Sequence, residues 1–210
     1  MRNYQIFDDY FSITILKANF ATPSWINISL EYPDMGTANQ PERTENARTA
    51  IDTLAWLIEE AFEGDPSHSL VANLHDVREE DWTAAQLGSH RSIADILEHV
   101  GWCKWMYEDY AFGPASLRGD QPPLVPQTGA RSRPYDELLA WLTEGHRRWL
   151  ASVRALADDS ELVKDRLTNW GDQLPTRDII RIMIAHDFYH AGEINHIRAL
   201  LQGTDRWPYE

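Results

Sequence analysis

The sequence predicts an all-α fold, a four-helix bundle carrying a short N-terminal extension of different character. Three observations predict it. Four stretches after residue 46 repeat apolar residues at i, i+3, i+4 and i+7. Each stretch is bracketed by capping or breaking residues. A period-two, strand-like alternation, Trp25-Ile26-Asn27-Ile28-Ser29-Leu30-Glu31-Tyr32, falls ahead of them. The 210 residues, 43% hydrophobic and 25% charged, suit one sizeable domain, or one domain with an appendage. The division falls near residue 45, with an extension over 1–45 and the bundle over 46–210.

In the extension, Pro33-Asp34-Met35-Gly36 reads as a turn and residues 37–45 as a linker. One or two strands cannot stand alone in water. This piece therefore packs on the bundle, pairs with a partner chain or stays loose. The first helix has the stripe Ile51, Leu54, Ala55, Ile58, Ala61 and Phe62, stopped by Gly64 and Pro66. The second starts at Ser92, an N-cap with Asp95 three residues on. Its stripe is Ile93, Ile96, Leu97, Val100, Cys103 and Tyr107, and Gly113-Pro114 closes it. A turn-rich connection with Pro122, Pro123, Pro126 and Gly129 follows, read as a functional lid or a mobile loop. The third helix begins near Pro134 and runs through Leu138, Leu139, Leu142, Trp149, Leu150, Val153 and Leu156. The fourth runs from Thr176 to Gly203 on Ile179, Met183, Ile194, Ile197 and Leu201. The long connections over 63–91 and 114–133 imply at least one crossover rather than a plain up-down bundle.

Nineteen Lys and Arg against thirty-three Asp and Glu leave a formal charge of −14. Such a field repels phosphate backbones and anionic membranes, so neither nucleic acid nor a membrane is an expected partner. No apolar run is long enough for a membrane span, and acids interrupt the N-terminus where a signal peptide needs an apolar core. Cys103 is the single cysteine and can form no internal disulfide. A reducing, cytoplasmic location is expected.

The eight histidines carry the chemistry. At about 100° per residue, His186 and His190 stand about 20° to either side of Ile179, in the middle of the fourth stripe. A buried imidazole must place one N–H and one lone pair among apolar neighbours. Two imidazoles at i and i+4 can give their lone pairs to one divalent metal. Alone, the HxxxH pattern is weak and reads first as two hydrogen-bonded core or groove histidines. His99, on the apolar side of the second helix between Ile96 and Cys103, adds a third inward imidazole. Three inward histidines with positions left for water or substrate are what an open catalytic site uses. The pattern is neither a HExxH metalloprotease, since Asp187 stands where Glu belongs, nor a di-iron carboxylate bundle. Glu193, about 40° off the stripe centre at the same helical pitch, is a catalytic candidate as a proton relay or a carboxylate behind a ligand. A local salt bridge at the groove edge is the alternative.

Ser92-Ile93-Ala94-Asp95-Ile96-Leu97-Glu98-His99-Val100, then Trp170-Gly171, then Ile184-Ala185-His186-Asp187-Phe188-Tyr189-His190-Ala191-Gly192-Glu193-Ile194, with Arg198 beyond, resembles the DinB superfamily. The likeness runs from about residue 46 to the end. It implies a four-helix bundle with a three-histidine divalent-metal site on His99, His186 and His190. It implies a dimer as well. It also implies chemistry of the kinds found in characterised relatives, which include transferases using low-molecular-weight thiols and a maleylpyruvate isomerase. Residues 1–45 and the 114–133 loop depart from the family pattern.

The expected function is a divalent-metal-dependent enzyme, with zinc or nickel as the metal, acting on a small molecule. Thiol-dependent S-transfer and isomerisation follow from the resemblance, and hydrolysis from the ligand set. The competing expectation is a non-catalytic, dimeric metal- or ligand-binding protein, which a fourth protein ligand would favour. Cys103, one turn past His99, is either that ligand or a small core residue. Tyr107 continues the face as a proton donor or as packing. Trp102, Trp105, Trp141, Trp149 and Trp170 read as core or interface residues, walls of a pocket being the other use. His146, near the inner side of the third helix between Leu142 and Trp149, is expected at a surface or rim position, reaching the site being the other reading. His68, His75, His90 and His196 take no role. Arg91, Arg147, Arg148 and Arg198 are expected to pair with acids, holding a substrate carboxylate being the other use.

Overall fold

The computed structural model describes residues 47–75, 77–84, 91–118 and 134–203, all within one compact unit, Thr44–Glu210. The expected strand over 25–32, the linker over 37–45, His90 and most of the 114–133 connection lie outside the described residues. Four α-helices lie among the described residues: α1 Thr49–Glu59, α2 Ile93–Phe112, α3 Tyr135–Arg154 and α4 Thr176–Gln202. A small hairpin enters α4, with β1 Asp165–Leu167 antiparallel to β2 Gln173–Pro175. The architecture is all-α, as the periodicity predicts.

The helix ends follow local chemistry. Asp159 carboxylate oxygens accept the free N–H groups of Ala50 and Ile51 at 3.0 Å each, satisfying the first turn of α1. After Glu59 the ladder widens into a π turn over Glu60–Gly64. That turn still buries Ala61 and Phe62, so the apolar stripe outlasts the α geometry. Ser92 and Asp95 form the predicted reciprocal capping box, with Asp95 N–H donating to Ser92 Oγ at 3.2 Å and Ser92 N–H to Asp95 Oδ2 at 2.7 Å. Gly203 ends α4 in the left-handed region, at φ 65°.

Side-chain pairs give the helix directions. Gly101 meets Trp141 and Gly145 meets Trp105, while Glu108 pairs with Arg148, so the partners advance together and α2 runs parallel to α3. Glu59 pairs with Arg154 and Phe62 stacks on His146, partners that run in opposite senses, so α1 is antiparallel to α3. His99 with His190, and Lys104 with Asp187, make α2 antiparallel to α4. The order is up-down-down-up, and the α2–α3 connection is the expected crossover.

Parallel α2 and α3 approach closely because each offers a glycine to the other's tryptophan. A Cβ on Gly101 would stand 2.3 Å from the Trp141 ring, and one on Gly145 would stand 2.8 Å from Trp105. The indole N–H of Trp105 then donates to the Trp141 carbonyl at 3.2 Å.

The core has two apolar clusters. One joins Ile93, Ile96, Leu97 and Val100 to Leu138, Leu142, Ile194 and Ile197. The other joins Ile51, Ile58, Trp149, Val153, Ile179 and Met183. Between them along α2, α3 and α4 lies a polar band of His99, Lys104, His146, His186, Asp187 and His190.

Gly101→Ala is expected to lower stability by about 1–3 kcal/mol through overpacking against Trp141. Gly192→Ala, in the exposed interior of α4 with no atom within 4 Å of the added Cβ, is expected to raise it by about 0.5–1 kcal/mol. Urea unfolding monitored by circular dichroism reads both.

Candidate metal centre

α2 and α4 bring three ring nitrogens together. His99 Nε2 lies 3.1 Å from His186 Nε2, which lies 3.1 Å from His190 Nε2. One ligand atom from each of the three residues falls within 4.8 Å of the others, the only such histidine, cysteine or carboxylate group found among the described residues. Nitrogens on a tetrahedral zinc at roughly 2.0–2.1 Å stand about 3.3 Å apart, so the spacing fits a small divalent ion. His190 is buried, while His99 and His186 are half-buried.

The donor set also fits. Glu193 Oε2 faces His190 Nδ1 at 2.8 Å. A carboxylate there places the ring proton on Nδ1 and leaves a lone pair on Nε2. Arg91 Nη2 contacts the other Glu193 oxygen at 2.9 Å. Burial pushes the Glu193 carboxyl up, but the His190 hydrogen bond and the Arg91 charge outweigh it and hold the group below its ordinary range. Burial, with the charges of His190 and Arg91, lowers His99 to about 4. Burial and the neighbouring rings lower His186 to about 2. His99 and His186 are therefore neutral imidazoles at neutral pH. His186 Nδ1 is buried without a hydrogen-bond partner among the described residues. Three neutral Nε2 atoms in one spot cannot all be satisfied by each other's protons, whereas a cation can accept every lone pair.

Other expected residues fall in varied places. Cys103 is half-buried with Sγ 3.8 Å from His99 Nε2, outside the convergent set, and burial pushes its thiol up to about 12. Tyr107 is half-buried and meets exposed Trp170 edge-on at 5.8 Å; burial pushes its hydroxyl well above the ordinary range. Trp149 and Trp105 are core, and Trp102 and Trp141 are half-buried. Arg147 pairs with Glu144 and Arg148 with Glu108, as expected of arginines in an acidic chain. Arg198 is buried and bonds Asn195. His68 pairs with Asp65, and His75 and His196 are exposed.

One placement differs from expectation. His146 is not at a surface or rim: it is 5% exposed and stacked on Phe62 at 3.8 Å between ring centroids. The π turn carries Phe62 over α3 and covers the ring. Burial, then the charges of Lys104 and Arg154, lowers His146 to about 2. Asp187, about 80° off the α4 stripe by the 100° helical pitch, is buried all the same because Lys104 of α2 reaches it. The Lys104–Asp187 pair escaped sequence reasoning. Its signal was present, since Lys104 lies at i+7 from Leu97 and i+4 from Val100 on an apolar face.

A helical bundle whose facing helices present three convergent imidazoles belongs to the class of bundles built around a candidate divalent-metal site. The family is set by sequence: a model described as the DinB superfamily matches residues 66–194, more than half of the chain, and the protein belongs to that superfamily. The match takes in α2, α3 and the part of α4 that carries His186, His190 and Glu193. No curated protein matches the chain. No helix among the described residues is long and apolar enough to cross a membrane.

Because folded His146 refuses a proton that the unfolded chain takes up near pH 6.5, stability falls as the pH drops below that value. His146→Phe should flatten the slope of unfolding free energy between pH 7 and pH 5 by up to one proton's worth, about 1.4 kcal/mol per pH unit. Urea melts across that range measure the slope. Glu193→Gln should weaken zinc binding roughly 10–100-fold, read by competition with a chromogenic chelator.

Proposed function

We propose that this protein is a divalent-metal-dependent enzyme acting on a small molecule, with His99, His186 and His190 as its metal ligands. The observation that supports this best is the open triplet. Three imidazole nitrogens converge, no fourth protein ligand joins them among the described residues, and two of the rings are half-buried rather than sealed. Three protein ligands with a vacant position mark catalytic rather than structural sites. Zn²⁺ and Ni²⁺ are the ions we favour, since imidazole suits both. A bound divalent ion supplies Lewis acidity at that position.

The chain's own residues do the rest. Glu193 keeps the His190 proton on Nδ1, and Arg91 holds Glu193 in place and charged. The apolar clusters on either side keep the imidazoles of His99 and His186 neutral, with lone pairs available. Tyr107 keeps its proton at neutral pH and is a hydrogen-bond donor for substrate on the α2 face beyond His99. Superfamily membership favours a thiol-dependent S-transfer with a low-molecular-weight thiol as cosubstrate, then isomerisation. Hydrolysis is what the ligand set alone favours. The reading includes a homodimer in a reducing cytoplasm, with neither nucleic acid nor membrane as partner. The charge of −14, the single cysteine and the exposed Phe188, Tyr189 and Leu200 on α4 support it.

One observation favours a second reading. Cys103 Sγ is 3.8 Å from His99 Nε2, and a small side-chain movement would close the site with a fourth ligand. The protein would then be a dimeric metal- or ligand-binding protein without catalysis.

Elemental analysis should find about one divalent ion per chain in the wild type and none in His186→Ala; equal content in both refutes the ligand set. Cys103→Ser should keep the metal with unchanged affinity, whereas a tenfold loss supports the closed, non-catalytic site. A screen of bacillithiol, mycothiol and glutathione against electrophiles, with and without chelator, should show chelator-sensitive turnover.

A further inference from the structure

Just behind the metal ligands lies an ion pair that the proposed chemistry does not use. Lys104 Nζ donates to Asp187 Oδ2 at 2.7 Å, and the two side chains are 0% and 2% exposed. Asp187 Oδ1 is buried without a hydrogen-bond partner among the described residues. Lys104 Nζ also sits 5.1 Å from the Phe62 ring centroid, and Phe62 in turn covers His146. The pair joins α2 to α4, the helices that carry the ligands. Lys104 follows Cys103 and stands five residues after His99; Asp187 follows His186 directly.

A buried pair of this kind is a poor source of stability. Both ions lose their hydration, and an apolar pair of similar volume is commonly as stable or more so. The unpartnered Oδ1 makes the balance worse. What the pair adds is direction. Apolar ridges on α2 and α4 tolerate sliding, but a 2.7 Å ion pair between two anchored side chains does not. A slide of one residue moves a helix by about 1.5 Å, enough to part nitrogens that stand 3.1 Å apart.

We propose that the buried Lys104–Asp187 ion pair is a positioning pair: it sets the register of α2 against α4 and so holds His99 where His186 and His190 can share an ion with it. The proposal rests on the metal-site reading above.

Cobalt(II) added to the metal-free full-length protein is the probe, because its visible absorption reports ligand geometry and its titration reports affinity. The double variant Lys104→Met with Asp187→Leu is expected to fold with a melting temperature equal to or above that of the wild type. It is expected to bind cobalt at least tenfold more weakly and with an altered visible spectrum, a combination that a merely structural role would not produce. Affinity within threefold of wild type together with an unchanged spectrum overturns the proposal. Should the double variant not fold, the isosteric Asp187→Asn decides. At least threefold weaker cobalt binding supports the pair's role, and wild-type affinity overturns it. If the wild type itself binds no cobalt, the metal-site reading fails separately. The register claim is then read from metal-free crystals of wild type and a folded variant. A His99–His186 nitrogen separation lengthened to roughly 3.4 Å or more in the variant supports it, since a slip of about 1.5 Å lengthens 3.1 Å to between about 3.4 Å and 4.6 Å according to its direction. An unchanged separation overturns it.

Discussion

Apolar packing holds this bundle together at both ends and is interrupted in the middle, where three imidazole nitrogens meet. Glu193 occupies the Nδ1 side of His190, which leaves Nε2 as the nitrogen facing His186. His186 Nε2 stands 3.1 Å from the nitrogens on both sides, and its own Nδ1 has no partner. Neutral rings cannot supply a proton to every contact, and protonated rings are opposed by burial and by each other's charge. The arrangement is a frustrated one in the absence of a cation and a satisfied one in its presence. Frustration of this kind in an otherwise well-packed core is a mark of function.

The surrounding structure is organised so that this spot stays fixed. The capping box at Ser92 sets where α2 begins, and therefore where His99 falls along it. The glycine–tryptophan exchange brings α3 hard against α2 and keeps it from rolling. Arg91, immediately before the cap, reaches across to Glu193 of α4 and so links the start of α2 to the residue that orients His190. Asp159 closes the first turn of α1, and the π turn beyond that helix places Phe62 over His146. The polar band is thus flanked by the two apolar clusters, and within it His99 and His186 are half-buried residues.

The fold was largely legible in the sequence because each helix shows the same apolar spacing and ends at a residue with a local physical reason to end it. The three histidines were legible for the same reason, since polar rings in the middle of an apolar stripe need an explanation. Lys104 and Asp187 were passed over. One lies on the stripe but has the most soluble of side chains, and the other lies off the stripe and is buried only by its partner. His146 was misplaced because its burial comes from Phe62, a residue more than eighty positions away whose location depends on a local widening of the first helix.

Sequence periodicity alone therefore determined that the chain forms four amphipathic helices, where α2 and α4 begin, and that His99, His186 and His190 face inward, because each of these depends on residues within a few turns of one another. Tertiary structure decided that α2 and α3 run parallel, that the three rings sit at one level, and that a lysine and an aspartate pair beneath them. Those outcomes depend on how one helix slides and rolls against another. That is a property of contacts between distant segments, and no pattern within a single helix encodes it.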